Sequence, residues 1–322
     1  MFNFRPKSLI FSKQILLLVI LLLLISLSIF SLFTLLPAKS WPKITMPRYQ
    51  IVAGLTHTCA LDDYGVKCWG SDLFGQTNVP ILSNPIQIAA GALHNCALDE
   101  IGVVCWGNNK SGQINVPKLL NPLLIATGAS HSCALDNSEV ICWGSNLSGQ
   151  KNIPPLSNPR QLSAGAYHNC VLDNHSVICW GSNSAGQTDV PVLINPTHIT
   201  GGDYHSCALH EQGIACWGGN SAGQSDIPPL SKPSKVSAGS FHTCAIDEDR
   251  AKCWGSNLNG QLNIPYLANP SQIVAGGNHS CALQINSLVC WGDNTYGQIN
   301  VPNGLSFSNK LVLEPQFLSK AR

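Results

Sequence analysis

Charged side chains make up only 11% of this 322-residue chain, and no long run of them occurs. A phosphate backbone needs clustered Lys and Arg, so nucleic-acid binding is disfavoured. Acidic residues are absent from the first 48 positions, which carry Arg5, Lys7, Lys13, Lys39, Lys43 and Arg48. That leaves 12 basic and 17 acidic residues over 49–322, a balance of −5. Familiar catalytic and ligand motifs are also missing. There is no Gly-x-Ser-x-Gly elbow, phosphate-binding Gly-x-x-x-x-Gly-Lys, His-Glu-x-x-His or EF-hand loop. Nothing indicates a catalytic residue or a cofactor. A long helical bundle is excluded because 28 Gly and 20 Pro recur at regular intervals. Disorder is excluded by a hydrophobic content of 44%.

One long apolar run is present. Ile15 to Leu36 carries no charge over 22 residues. As a helix it would measure roughly 33 Å, enough to cross a hydrocarbon core of ~30 Å. The run exceeds the 7–15 residues usual in a cleaved signal, which favours a retained anchor. Ala38-Lys39-Ser40 nevertheless has the small-x-small form of a signal-peptidase site, so a cleaved signal is the alternative. Either reading exports the body, as a membrane-anchored or a secreted (or periplasmic) protein. Basic residues before the run favour a cytoplasmic 1–14.

The remainder is a repeat. Cys59, Cys96, Cys133, Cys170, Cys207, Cys244 and Cys281 are spaced by 37, as are Cys68, Cys105, Cys142, Cys179, Cys216, Cys253 and Cys290. Around them recurs Gly-x-x-His-x-Cys, then Cys-Trp-Gly, Gly-Gln and Pro. The histidines are His57, His94, His131, His168, His205, His242 and His279; the tryptophans are Trp69, Trp106, Trp143, Trp180, Trp217, Trp254 and Trp291. The expected organisation is a basic segment 1–14, the span 15–36, a linker 37–49, a repeat body 50–308 and a tail 309–322. The units run 50–86, 87–123, 124–160, 161–197, 198–234, 235–271 and 272–308.

Short alternating runs predict strands at Gln50–Ala53, His57–Leu61 and Val66–Trp69, with a fourth candidate at Thr77–Val79 before Pro80. Four strands in 37 residues match one propeller blade. The expected class is all-β, a seven-bladed β-propeller behind one N-terminal hydrophobic helix. At this point a resemblance becomes specific. Ala53-Gly54-Leu55-Thr56-His57, Cys68-Trp69-Gly70-Ser71-Asp72 and Gly75-Gln76 resemble the repeat of the regulator-of-chromosome-condensation family, and so do Ala164–His168, Trp180–Asn183 and Gly186-Gln187. The resemblance implies a seven-bladed propeller. A cysteine pair in every unit departs from that pattern and is similar to crinkly-type receptor kinase ectodomains.

Hairpin arithmetic pairs the cysteines. A two-residue turn at Asp63-Tyr64 sets Asp62 opposite Gly65, and counting back brings Cys59 opposite Cys68 at a non-hydrogen-bonded position. The expected disulfides are therefore Cys59–Cys68, Cys96–Cys105, Cys133–Cys142, Cys170–Cys179, Cys207–Cys216, Cys244–Cys253 and Cys281–Cys290. A bulged turn signalled by Gly65, Gly102 and Gly213 would shift the register by one. Reduced, buried thiols are the bland alternative. Zinc on His57-x-Cys59 with Cys68 would need seven separate ions and lacks Cys-x-x-Cys spacing, so no metal is expected.

A residue demanded by every blade reads as structural, because a catalytic site needs different groups converging once. The seven histidines are thus expected to be posts between strands or adjacent blades. The seven tryptophans are expected to fill the space between blades. Acidic pairs at hairpin turns, Asp62-Asp63 and Asp247-Glu248-Asp249, read as solvated charge. Three functions compete. The first is a non-enzymatic, exported or membrane-anchored, monomeric propeller that binds an unidentified protein or surface ligand through loops of one face. Variation in the hairpin turns favours this one. The second, implied by the family resemblance, is guanine-nucleotide exchange on a small GTPase. The third is an enzyme of unknown class. Light sensing, as in a plant relative, is disfavoured because the array holds only Arg160 and Arg250.

Overall fold

The structure is a computed structural model describing residues 48–307. The apolar span 15–36, the segment before it, most of the linker and the tail 309–322 lie outside the described residues. No helix occurs among the described residues, which form seven three-stranded antiparallel sheets. In the first blade β1 (Gln50–Ala53), β2 (His57–Asp62) and β3 (Gly65–Gly70) lie in chain order. The same order repeats over 87–107, 122–144, 159–181, 198–218, 233–255 and 272–292. The chain is a seven-bladed propeller.

The two-residue turn sets the register. Asp62 faces Gly65 and Cys59 faces Cys68. In the second blade the Asp99 amide bonds Gly102 O at 2.9 Å, so by alternation Cys96 and Cys105 occupy a non-hydrogen-bonded pair. All seven pairs are disulfides, with Cα atoms 4.0–4.1 Å apart and no free cysteine remaining. The bulged register does not occur between the second and third strands.

The fourth strand at Thr77–Val79 does not form. Its amides are used locally: Thr77 N donates to Asp72 Oδ1 at 2.9 Å, Asn78 N to Gly75 O at 3.2 Å and Val79 N to Thr77 O at 3.0 Å. A chain that closes its amides on its own turn has none left for a ladder. Each blade is therefore narrower than expected, and the Gly-Gln segment serves as a cap on its neighbour.

Apolar packing lies between blades. β2 is buried along its whole length, because neighbouring blades cover its two faces. Leu61 of blade 1 packs with Ile88, Ala97 and Trp106 of blade 2. At the opposite end of the chain, Ile51, Ala60 and Trp69 of blade 1 pack with Leu283 and Leu288 of blade 7 and with Phe307. The tryptophans are 5–8% exposed, and burial of each contributes about 2–3 kcal/mol at roughly 25 cal/mol/Å². No blade could form this core alone, so blade number and ring closure are parts of one requirement.

The ring closes without a shared strand. Asp62 Oδ2 accepts the Ser306 amide at 2.9 Å, and the Asp63 amide donates to Ser306 O at 3.0 Å. Tyr49 meets Phe307 edge-on at 5.6 Å. Segment 301–307 thus does for blade 1 what the connecting segment of each earlier blade does for the next. Ser83 N on Asp99 at 2.9 Å and Leu120 N on Asp136 at 2.8 Å are the matching contacts.

Candidate functional site

The repeated histidines and tryptophans meet at one bonding unit per blade boundary. His57 Nε2 donates to Asn95 Oδ1 of the next blade at 2.7 Å. Asn95 Nδ2 donates to Gln76 O at 2.7 Å, and Trp106 Nε1 donates to that same carbonyl at 3.1 Å. Where the partner is a hydroxyl the tautomer follows. Ser132 Oγ gives its hydrogen to Gln113 O at 2.9 Å, so it must accept from His94 Nε2–H at 2.8 Å. The unit recurs through His131 with Asn169, His168 with Ser206, His205 with Thr243 and His242 with Ser280. His279 completes the circle on Thr58 of blade 1 at 2.9 Å, where Trp69 Nε1 bonds Gln298 O at 3.0 Å.

These histidines are fully buried, and their Nδ1 atoms have no hydrogen-bond partner among the described residues. Desolvation drives their pKa values from 6.5 to about 4 at His57, His131 and His242, and to about 3 at His94, His168, His205 and His279. Neighbouring imidazoles add repulsion at His94, His168, His205 and His279. Held neutral and enclosed, they are placed to hold blades together. The cysteines are consumed as disulfides, and among the described residues no cluster of His, Cys, Asp and Glu could hold a metal.

The acidic turns depart from the sequence reading. Asp62 and Asp247 are buried, 6% and 4% exposed, and clamp the connecting segment on the adjacent surface. Asp247 Oδ1 accepts Ser231 N at 2.9 Å and Lys232 N at 2.6 Å. Lys252 and these two amides hold its carboxyl down at about 2. Asp99, Asp136 and Asp173 are clamps of the same kind. The signal was available: Cys-Ala-Leu-Asp or its variants end the second strand in five of the units. Only Asp249, with Glu248, retains the exposed setting expected of the acidic turns.

Around the axis, Gly54, Gly91, Gly128, Gly165, Gly202, Gly239 and Gly276 line a central channel holding a cavity of about 160 Å³. Its blades are joined by backbone bonds such as Ala129 N to Ala166 O at 3.1 Å and Ala166 N to Gly202 O at 3.1 Å. A Cβ at Gly165 would lie 2.2 Å from His168 Cε1 and 2.4 Å from Gly202 O. A backbone carbonyl in the next blade has nowhere to retreat. Gly165→Ala is therefore expected to destabilise the protein by about 3 kcal/mol or more, read as a fall in Tm. An unchanged Tm would contradict so close an approach.

Two residues stand between each of these glycines and its histidine, the first of them lining the channel, and here the sevenfold pattern breaks. The pairs are Leu55-Thr56, Ala92-Leu93, Ala129-Ser130, Ala166-Tyr167, Asp203-Tyr204, Ser240-Phe241 and Gly277-Asn278. Three consecutive blades carry an aromatic ring. Tyr167 and Tyr204 have centroids 6.3 Å apart, and Tyr204 and Phe241 5.5 Å apart, tilted by 46° and 32°. Tyr167 is 40% and Phe241 37% exposed. Asp203, the one charged member of the set, lines the cavity with Tyr167 and Ser240. Burial raises its carboxyl above the usual range, partly offset by a hydrogen bond to Ser240. Desolvation, then Tyr167 and the Asp203 charge, raise the Tyr204 phenol. The hairpin turns at Asp63-Tyr64 and its counterparts lie at the other end of the strands.

Comparison with known proteins agrees with this geometry. Residues 27% identical to the ectodomain of the Physcomitrella patens receptor kinase CR4 superpose with a TM-score of 0.65, over 76% of this chain and 73% of that one. The CRINKLY WD40 ectodomain of the Arabidopsis thaliana receptor kinase ACR4 is 28% identical, with a TM-score of 0.63 over 77% and 97% of the two chains. Prp20p of Saccharomyces cerevisiae shares the fold at 19% identity and a TM-score of 0.63, over 79% and 84%. Compared with curated proteins, the sequence finds no match. The model of the regulator of chromosome condensation (RCC1) repeat matches residues 86–113, 124–150, 160–187, 197–224, 234–261 and 271–298, more than half of the chain. The chain belongs to the regulator of chromosome condensation repeat family.

Proposed function

We propose that this protein is a non-enzymatic binding module working outside the cytosol, anchored or released through residues 15–36, and recognising a protein ligand with one face of its propeller. The observation that carries this reading is the disulfide in every blade with no cysteine left free. Such a set persists in an oxidising compartment and is rare where glutathione keeps thiols reduced. The likeness to two receptor ectodomains supports the same placement. The repeated polar groups are bonded between blades, which leaves recognition to the residues that vary.

Exchange of guanine nucleotide receives less support. Prp20p is described with binding properties toward Gsp1p and histones, but its 19% identity speaks for the fold alone. The equal repeat length leaves no insertion to act as an exchange wedge, and a disulfide-laden body suits the cytosol poorly. The test is chemical. Protein alkylated at the moment of lysis, without reductant, is expected to weigh 14 hydrogens less than its sequence mass, two per disulfide, and to carry no alkyl label. Labelled cysteines in most molecules would overturn the extracytoplasmic reading. A tag at residue 322 reached by protease from outside intact cells would support the anchor; a tag found only in the medium would support release.

A further inference from the structure

The rim of the channel is where seven near-identical blades differ, and its chemistry is specific. Tyr167 and Asp203 line the opening, Tyr204 and Phe241 continue the aromatic row from Tyr167, and the carboxylate is the set's single charge. Among the described residues no Lys or Arg of the chain stands over Tyr167, Tyr204 or Phe241. Elsewhere on this face the chain supplies its own cation, for Lys110 Nζ lies 5.2 Å from the Phe74 ring centroid. We propose that Tyr167, Tyr204, Phe241 and Asp203 form a site for the guanidinium of an arginine side chain presented by a partner protein. The proposal rests on the binding-module reading and assigns its face and its chemistry.

Ring arrangement selects arginine. Tyr204 packs against both neighbours, at 5.5 Å and 32° from Phe241 and at 6.3 Å and 46° from Tyr167, so the three rings form a row whose end members stay exposed. An ammonium group is best held by walls that enclose it, whereas a planar guanidinium stacks on an aromatic face. Beside this row Asp203 offers a forked donor a carboxylate that already accepts one bond, from Ser240. Its charge is held there against the cost of desolvation, with only Ser240 to offset it. A bound guanidinium would relieve that cost. The cavity of about 160 Å³ behind the rim admits a side-chain head and excludes a folded domain, so the arginine must project from a loop or an extended segment. A body with a balance of −5 over 49–322 favours approach of a basic partner.

The probe is one short neutral peptide made with arginine, lysine or citrulline at its centre, added to the intact propeller and followed by NMR. Citrulline keeps the shape of arginine and removes its charge. Arginine peptide is expected to shift the ring signals of Tyr167, Tyr204 and Phe241. Citrulline and lysine peptides should bind at least about tenfold more weakly, as should the Asp203→Asn variant, since a charge-assisted bond is lost or weakened in each. Tyr204→Ala should abolish the shifts. Asp249→Asn, an exposed change at a hairpin turn on the far side, should leave them alone. Near-ultraviolet circular dichroism will verify that each variant keeps its packing. Equal binding of citrulline or lysine, indifference to Asp203→Asn, or no ring shifts with any peptide would overturn the assignment. None of these results bears on the oxidation state of the cysteines, which tests the wider reading separately.

Discussion

Strong reductant at neutral pH is expected to unfold the propeller, or to lower its Tm by tens of degrees, while the oxidised protein stays folded. Each disulfide joins residues nine apart in sequence and so closes a loop of about ten residues. On the chain-entropy account one such loop stabilises by about 2–3 kcal/mol, and seven together exceed the ~5–15 kcal/mol total stability of an ordinary domain. The sum is an upper figure, since the unfolded chain keeps some compactness. Even a third of it would matter to blades of three short strands. The loss should be steep, because no blade holds its own core: opening one blade exposes Trp and Leu on both neighbours. Partial versions are also informative. Cys133→Ala with Cys142→Ala removes one bridge and should cost about 2 kcal/mol, read in a denaturant melt. A reduced protein that melts at the same temperature as the oxidised one would show that the disulfides are passive.

Much of this fold was legible because the chain states it seven times. A 37-residue step kept without insertion reveals both blade number and the pairing partner of every cysteine, since one turn length fixes the register for all. The error at Thr77–Val79 arose from reading an apolar triplet as strand when Asp72 and Gly75 had already claimed its amides. Asp62 and Asp247 were misread for a different reason. A carboxylate beside a turn resembles a solvated charge until the connecting segment of another blade is seen to lie over it, a contact 244 residues away in the first case. The rim site was hidden in a similar way. Tyr167, Tyr204 and Phe241 are 37 apart beside the repeated histidines, at a position that differs from blade to blade and so forms no motif. Only the ring geometry shows them as one row that starts at the opening.

Acid should unfold the protein through its histidines, well before most carboxylates are protonated. In the unfolded chain the imidazoles titrate near 6.5; in the folded one they do so at about 3–4. Above 6.5 both states are neutral there and stability does not depend on pH through these groups. Between 6.5 and about 4 the unfolded chain binds more protons, so stability falls as pH falls. Each pH unit costs about 1.4 kcal/mol per histidine once the unfolded imidazole is charged, or roughly 9–10 kcal/mol per unit for seven. Such a slope exhausts a typical stability near pH 5. The folded pKa values need never be reached, because a proton on any Nδ1 buries a charge without an acceptor and the blade boundary opens instead. Lowered carboxyls such as Asp72, Asp247 and Asp293 work in the same direction but add their share only nearer pH 4 and below. Tryptophan fluorescence against pH should therefore show one sharp transition between about pH 4.5 and 5.5, taking up several protons. His131→Gln, whose amide can still donate to Asn169, should reduce the slope by one proton. A folded protein whose imidazole signals titrate near 6.5, or a transition confined below pH 3, would mean that the histidines are not the closed posts on which the ring depends.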